Sequence, residues 1–349
     1  MIISKKASKI KLSGIREINE LALKIPDVVH LEFGEPDFDT PENIKEAAIK
    51  AIKEGKTKYT PSTGIMELRE AIKRKLKEEN KLNYEIENIV VTPGANGALH
   101  YSLLAIIEEG DEVLIPNPGW ANNEQAIISV GGTPIYYRLI EEEGFEPDVD
   151  QIRKLITPRT KAILINSPNN PTGAVHSEKS LRNITDIALE YGLYILSDEV
   201  YEKFIFDDGR HISPANLSEE AKDKTIIINS LSKTYSMTGW RVGYVAGPKE
   251  IVSAIGKFIS AEISCINSIA QYAALEALTG PQEFTYTMLK TFAERRKFLI
   301  EGLQKIPHIN VSVVPKGAFY LFPSIEDINY NSHDLAIMIL KEAPIAIVL

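Results

Sequence analysis

Through the middle of the chain, short runs of consecutive apolar residues alternate with longer stretches in which apolar positions recur every three or four residues. The runs span 88–92, 112–116, 134–139, 162–166, 193–197, 225–229 and 242–246. Alternation of this kind predicts strands joined by crossover helices, an α/β class with a mainly parallel seven-stranded sheet between helices. Several runs lack polar alternation, so helices should cover both faces of the sheet. A helix start is legible at Thr40-Pro41-Glu42, with Thr40 as cap and Pro41 in the first helical position, before the periodic Ile44, Ala47, Ala48, Ala51 and Ile52. Past Gly280-Pro281 the pattern changes to a long polar helix over 282–304 and strand-like pieces over 310–314 and 318–322. The expected organisation is a large domain over 44–281 and a smaller α+β domain built from both termini, 1–43 and 282–349.

Composition narrows the classes. The chain has 349 residues, 44% hydrophobic and 25% charged, as expected of a folded globular protein. A formal net charge of -9, without clustered Lys and Arg, argues against nucleic acid as a partner. The single cysteine, Cys265, lies in Ile263-Ser264-Cys265-Ile266 and is expected to be a buried small hydrophobe with no disulfide. Met1-Ile2-Ile3-Ser4-Lys5-Lys6 does not read as a signal peptide, and no stretch approaches the ~20 apolar residues of a membrane span, so the expected location is cytoplasmic. The six histidines include no pair four residues apart, so no metal site is expected.

Ligands of open parallel sheets bind beyond the carboxyl ends of the strands, which directs attention to the polar residues after each apolar run. Pro93-Gly94-Ala95-Asn96-Gly97 follows the first run and is either an anion-binding helix start or only a tight turn. Ser167-Pro168-Asn169-Asn170-Pro171-Thr172-Gly173 offers amides held between prolines, for a ligand oxygen or for the turn itself. Asp198 follows another run, where a carboxylate needs a cationic partner unless it caps a helix. Ser230-Leu231-Ser232-Lys233 through Gly239-Trp240-Arg241 surrounds one lysine with hydroxyls and a guanidinium suited to a phosphate.

These four segments, in this order, resemble fold-type I pyridoxal-phosphate enzymes, the class I/II aminotransferases of the aspartate aminotransferase family. The likeness also takes in Phe33-Gly34-Glu35-Pro36-Asp37-Phe38, Lys58-Tyr59-Thr60-Pro61 and Pro315-Lys316-Gly317-Ala318-Phe319-Tyr320. It implies pyridoxal 5'-phosphate as cofactor and an amino-group transfer between an L-amino acid and a 2-oxo acid by a ping-pong Schiff-base mechanism. By the resemblance, Lys233 anchors the cofactor and moves the proton, Asp198 keeps the ring nitrogen protonated, and Tyr201 and Asn170 bond the ring oxygen. Trp120 would lie over the ring and Gly34 beside the substrate. Ala95, Asn96, Ser230, Ser232 and Arg241 would hold the phosphate, with Tyr59 reaching in from the second subunit of a homodimer.

The family also places a substrate-binding arginine in its final domain, downstream of the segment that Ala346-Ile347-Val348-Leu349 begins, whereas no arginine follows Arg296. The expectation is a chain lacking the last part of its small domain, with a complete cofactor pocket and weakened amino-acid binding. Bacterial relatives that prefer acidic substrates tend to carry lysine where Asn96 stands, so the donor amino acid stays open. A carbon-sulfur β-lyase or synthase on the same fold and a non-catalytic cofactor-binding regulatory protein are the competing readings. A dinucleotide dehydrogenase is disfavoured because no strand-to-helix turn has the G-x-G-x-x-G pattern.

Overall fold

The computed structural model describes residues 3–10 and 14–348. Met1, Ile2, Lys11, Leu12, Ser13 and Leu349, which fall in the expected small domain, lie outside the described residues. All seven apolar runs form strands of one sheet, with ends within a residue or two of those expected. In spatial order these are Ile89–Thr92, Gly243–Ala246, Thr225–Ser230, Tyr194–Asp198, Thr160–Asn166, Glu112–Asn117 and Thr133–Ile140. An eighth, two-residue strand, Glu146–Pro147, pairs antiparallel at the outer edge and has no apolar run to announce it. The five strands from Thr225–Ser230 to Thr133–Ile140 are parallel. Gly243–Ala246 alone among the expected seven runs the other way, antiparallel to both neighbours.

Strand alternation explains why the apolar runs are continuous. Leu114, Ile163, Ile165 and Ile195 pack with Leu181, Ile184 and Ile187 of the helix Glu178–Glu190. Their sequence neighbours Val113, Ile115, Ala162, Leu164 and Leu196 turn to the opposite face and join Ala98, Leu99 and Leu103 of the helix Gly94–Ile106. Each of these side chains is buried, and full burial of one aliphatic side chain stabilises by about 1.5–3 kcal/mol.

At the ends of the chain, the strand Val29–His30 pairs in parallel with Ile345–Ala346. Ile18 and Ala22 of the helix Gly14–Ala22 pack against Ala336 and Leu340 of the helix Ser332–Glu342. The long polar helix forms over Glu283–Leu303.

Three expectations need correction. Thr40 does not cap a helix: the helix begins at Glu42, with Pro41 in the capping position and no side-chain cap. The Thr40 hydroxyl instead donates to the Ser236 carbonyl at 2.6 Å and accepts the Trp240 indole N–H at 3.0 Å, tying the N-terminal segment to the Lys233 loop. Residues 318–322 are not a strand: Ala318 has a φ of 55°, and Phe319 and Tyr320 turn into an aromatic cluster with Tyr201 and Phe204. The pairing in that region is Ile309–Asn310 with Ser324–Ile325. Cys265 is half-buried rather than buried, because 263–267 is the connection between the helices Lys249–Glu262 and Ser268–Thr279, where Ile263 is also exposed.

Candidate active site

Parallel pairing brings the carboxyl ends of Glu112–Asn117, Thr160–Asn166, Tyr194–Asp198 and Thr225–Ser230 to one edge of the sheet, and the chemistry expected from sequence collects there. Asn166 is in register with Asp198, and Ser230 with Gly243. Because Gly243–Ala246 is inverted, the residues that precede it, Arg241 included, enter at that same edge.

Lys233 follows the Thr225–Ser230 strand, and its ammonium donates to the Gly34 carbonyl. It lies 5.9 Å from the ring centres of both Tyr201 and Phe319. Burial, helped by the positive Arg241 and opposed by Glu35 and Asp198, lowers its pKa to about 8. A lysine with that affinity for protons supplies free amine near neutral pH, which a carbonyl-capturing nucleophile needs.

Asp198 ends its strand buried, with its carboxylate accepting the Val200 N–H at 3.3 Å. No Lys, Arg or His lies within ion-pair distance of it among the described residues. Burial, with the neighbouring Glu199 charge adding to it, raises its pKa to about 7, while the Val200 N–H and Lys233 act the other way. A buried carboxylate left in this condition fits a cationic partner such as a protonated ring nitrogen.

Tyr201 shares a hydrogen bond with the Tyr320 hydroxyl, which also accepts from Asn170 Nδ2 at 3.3 Å. Burial and the nearby Tyr320 push the Tyr201 hydroxyl well above its ordinary value, so it stays a neutral donor. Tyr320 also lies against Gly34, where an added Cβ would fall 2.0 Å from its hydroxyl oxygen. The sequence marks Tyr320 only by its motif; its place beside Tyr201, Asn170 and Gly34 comes from the loop at Ala318, which the apolar pattern disguises as a strand.

The anion-binding reading of Gly94-Ala95-Asn96 rests on a helix of thirteen residues, Gly94–Ile106, whose first N–H groups, among them those of Ala95 and Asn96, open toward the sheet edge. Gly94 has a φ of 74°, and a Cβ there would meet the Arg241 guanidinium at 2.7 Å. Arg241 itself holds a left-handed conformation, φ 55° and ψ 52°, which costs a non-glycine residue on the order of 1 kcal/mol and brings its guanidinium over that helix start. Ser230 and Ser232 are buried beside it, with the Ser230 hydroxyl accepting the Ser232 N–H at 3.1 Å. Hydroxyls, N–H groups and a guanidinium around one point fit a phosphate. Trp120, in the turn after Glu112–Asn117, reaches the same edge half-exposed. Tyr59 is not brought in: it is 87% exposed.

Behind Asp198 lies a buried group that the sequence does not announce. Glu199, Glu202 and His211 bring carboxylate and imidazole atoms within 4.8 Å of one another. Lys75, Asn80 and Asn229 donate to Glu202, and Ser197 and His211 bond Glu199, so it is a buried ion-pair network in which His211 Nδ1 has no hydrogen-bond partner.

A buried lysine with a lowered pKa, a buried carboxylate near it, and N–H groups, hydroxyls and a guanidinium that fit an anion match an aminotransferase-type site on an α/β sheet. The chain belongs to the aminotransferase class I and II family, whose model matches residues 26–348. It is 49% identical to a probable aspartate/prephenate aminotransferase of Aquifex aeolicus over 306 residues, covering 87% of this chain and 77% of that protein. It is 39% identical over 351 residues to aromatic-amino-acid aminotransferase 2 of Thermococcus litoralis, covering 100% of this chain and 90% of that one. The Thermus thermophilus aspartate aminotransferase solved with maleate superimposes with a TM-score of 0.94 at 39% identity, over 100% of this chain and 91% of that one. The protein is an aminotransferase, moving an amino group between an amino acid and a 2-oxo acid.

Proposed function

We propose that the chain works with pyridoxal 5'-phosphate held covalently by Lys233, and the observation that carries this reading is the pairing of that buried, easily deprotonated lysine with an Asp198 carboxylate lacking a cation. When bound, the cofactor supplies an electron sink for the pair of electrons left at the substrate α-carbon. Arg241, Ser230, Ser232 and the N–H groups of Ala95 and Asn96 hold its phosphate, and Asn170 and Tyr201 orient its ring oxygen. Trp120 covers the ring face. Asp198 keeps the ring nitrogen protonated. Lys233, once its Nζ is free, would take the α-proton as general base and, as general acid, deliver it to the cofactor's aldehyde carbon, on the other side of the transferred nitrogen. Gly34 leaves room for substrate and sets the carbonyl that orients the Lys233 amine.

Transfer, rather than β-elimination, is the reading that the relatives support, and steady-state kinetics test it. Parallel double-reciprocal lines with an amino acid and 2-oxoglutarate are expected. Pyruvate and ammonia released without any 2-oxo acid acceptor would overturn it in favour of a lyase. The relatives' names span aspartate, prephenate and aromatic amino acids, and Asn96 supplies no positive charge for an acidic side chain, so a donor panel is part of the same assay.

The homodimer is proposed from Tyr59, which stands out from the surface with Ile52, Met66 and Ile263 exposed on neighbouring segments and completes the phosphate site only across an interface. Residues 44–281 are proposed as the large cofactor domain, with 1–43 and 282–349 as the small one, a division supported by the pairing of Val29–His30 with Ile345–Ala346. A cytoplasmic location is proposed, as suits an enzyme acting on small water-soluble amino and 2-oxo acids.

A further inference from the structure

Asp198 and Tyr201 turn toward Lys233, while Glu199 and Glu202, the residues that follow each of them, turn into a separate closed cluster. Glu199 is 1% exposed, and the side chains of Lys75, Glu202 and His211 are exposed by no more than 10%. The Glu199 carboxylate accepts the Ser197 hydroxyl at 2.8 Å and meets His211 Nε2 at 3.1 Å. Glu202 pairs with Lys75 and accepts from Asn80 at 2.6 Å and Asn229 at 2.8 Å. The other ionisable groups around it are the Tyr84, Tyr235 and Tyr244 hydroxyls and beyond them Glu79, paired with Lys203, Glu219, paired with Lys222, and Asp223. Two carboxylates face one ammonium and one imidazole, so with both carboxylates ionised the buried set is neutral when His211 carries a second proton, and an uncompensated buried charge is strongly unfavourable.

We propose that Glu199 and His211 form a positioning pair for the transamination reaction: His211, held as imidazolium, cancels the Glu199 charge, so that Asp198 next to it is the single negative charge presented to a cationic ring nitrogen. This rests on the cofactor reading above. Burial works against the imidazolium, but the hydrogen bond and charge of Glu199 and the charge of Glu202 outweigh it, with Lys75 opposing, and hold His211 above the ordinary imidazole range. The Glu199 charge in turn raises the proton affinity of Asp198. Removal of the His211 proton therefore makes the cluster net negative and tightens proton binding at Asp198 and at whatever shares its proton.

The test is a pH titration of the visible absorbance of the holoenzyme for wild type, His211→Asn and the double variant Glu199→Gln/His211→Asn. The single variant is expected to move the absorbance midpoint upward by about one pH unit, the order of one charge's effect through a protein interior of effective dielectric about 20. The double variant, which removes both charges, is expected to restore the wild-type midpoint. No displacement in the single variant, or an equal displacement in the double, would overturn the proposal. Should His211→Asn fail to fold, the His211 titration followed by NMR in the cofactor-free wild type decides: a midpoint above the ordinary imidazole value of 6.5 is expected, and one at or below 6.5 contradicts it. That titration is read without cofactor, so its failure is distinct from an absent visible band, which would count against the cofactor reading instead.

Discussion

Replacing Asp198 by Asn should act in opposite directions on the cofactor-free fold and on cofactor binding. In the cofactor-free protein the carboxyl has its pKa raised from 3.8 to about 7 by burial. A raised acid contributes stability through its protonated form, fully present below pH 3.8 and lost as pH rises through 7. At 1.36 kcal/mol per pH unit, holding this group ionised above pH 7 costs the fold about 4 kcal/mol. The asparagine carries no charge, so at pH 8 it should recover most of that cost, about 2–3 kcal/mol after the burial of its own amide is discounted. Urea unfolding of the cofactor-free proteins at pH 8 and pH 4 is the assay. The variant is expected to be more stable at pH 8, with the advantage shrinking toward zero at pH 4. A gain that is the same at both pH values, or a loss at pH 8, would refute the reasoning, because it would mean that Asp198 is not an uncompensated charge. With cofactor present the order reverses: the amide cannot pair with a protonated ring nitrogen, and affinity should fall on the order of 10²-fold.

Three further outcomes follow from individual contacts. Lys233 has its pKa lowered to about 8, so its free amine grows as pH rises through 8, and the rate of cofactor loading onto the cofactor-free protein, followed by stopped-flow absorbance, should increase through that window and level off above it. Gly34→Ala would drive a methyl group into the Tyr320 hydroxyl; about 10-fold or more should be lost from kcat/KM while the visible spectrum of the bound cofactor persists. Glu202→Gln leaves the Lys75 ammonium buried without its partner, and a loss of about 3–5 kcal/mol in unfolding free energy is expected, measurable by denaturant titration.

The large sheet was legible because its strands are covered on both faces: Ala162 to Ile165 is apolar throughout, as a strand buried on both sides is. The helix starting near Thr40 was legible in position but not in its capping, since Thr40 is recruited by Ser236 and Trp240 from far along the chain. The site was legible wherever a polar residue follows an apolar run, which covers Asn170, Asp198, Ser230 and Lys233. Tyr320 was hidden because its role depends on Ala318 reversing the chain, and local pattern favours a strand there. The Lys75, Glu199, Glu202 and His211 network was hidden for another reason: its members come from three separate segments, and charged residues in sequence ordinarily indicate solvent rather than a closed interior.

The central claim is that one lysine, Lys233, holds an aldehyde cofactor covalently at this sheet edge. The direct measurement is borohydride reduction of the protein loaded with pyridoxal 5'-phosphate, followed by proteolysis and mass mapping of the modified peptide. The account predicts a single cofactor-labelled lysine, in the peptide containing Ser232-Lys233-Thr234. Label on any other lysine, or none at all, would contradict it.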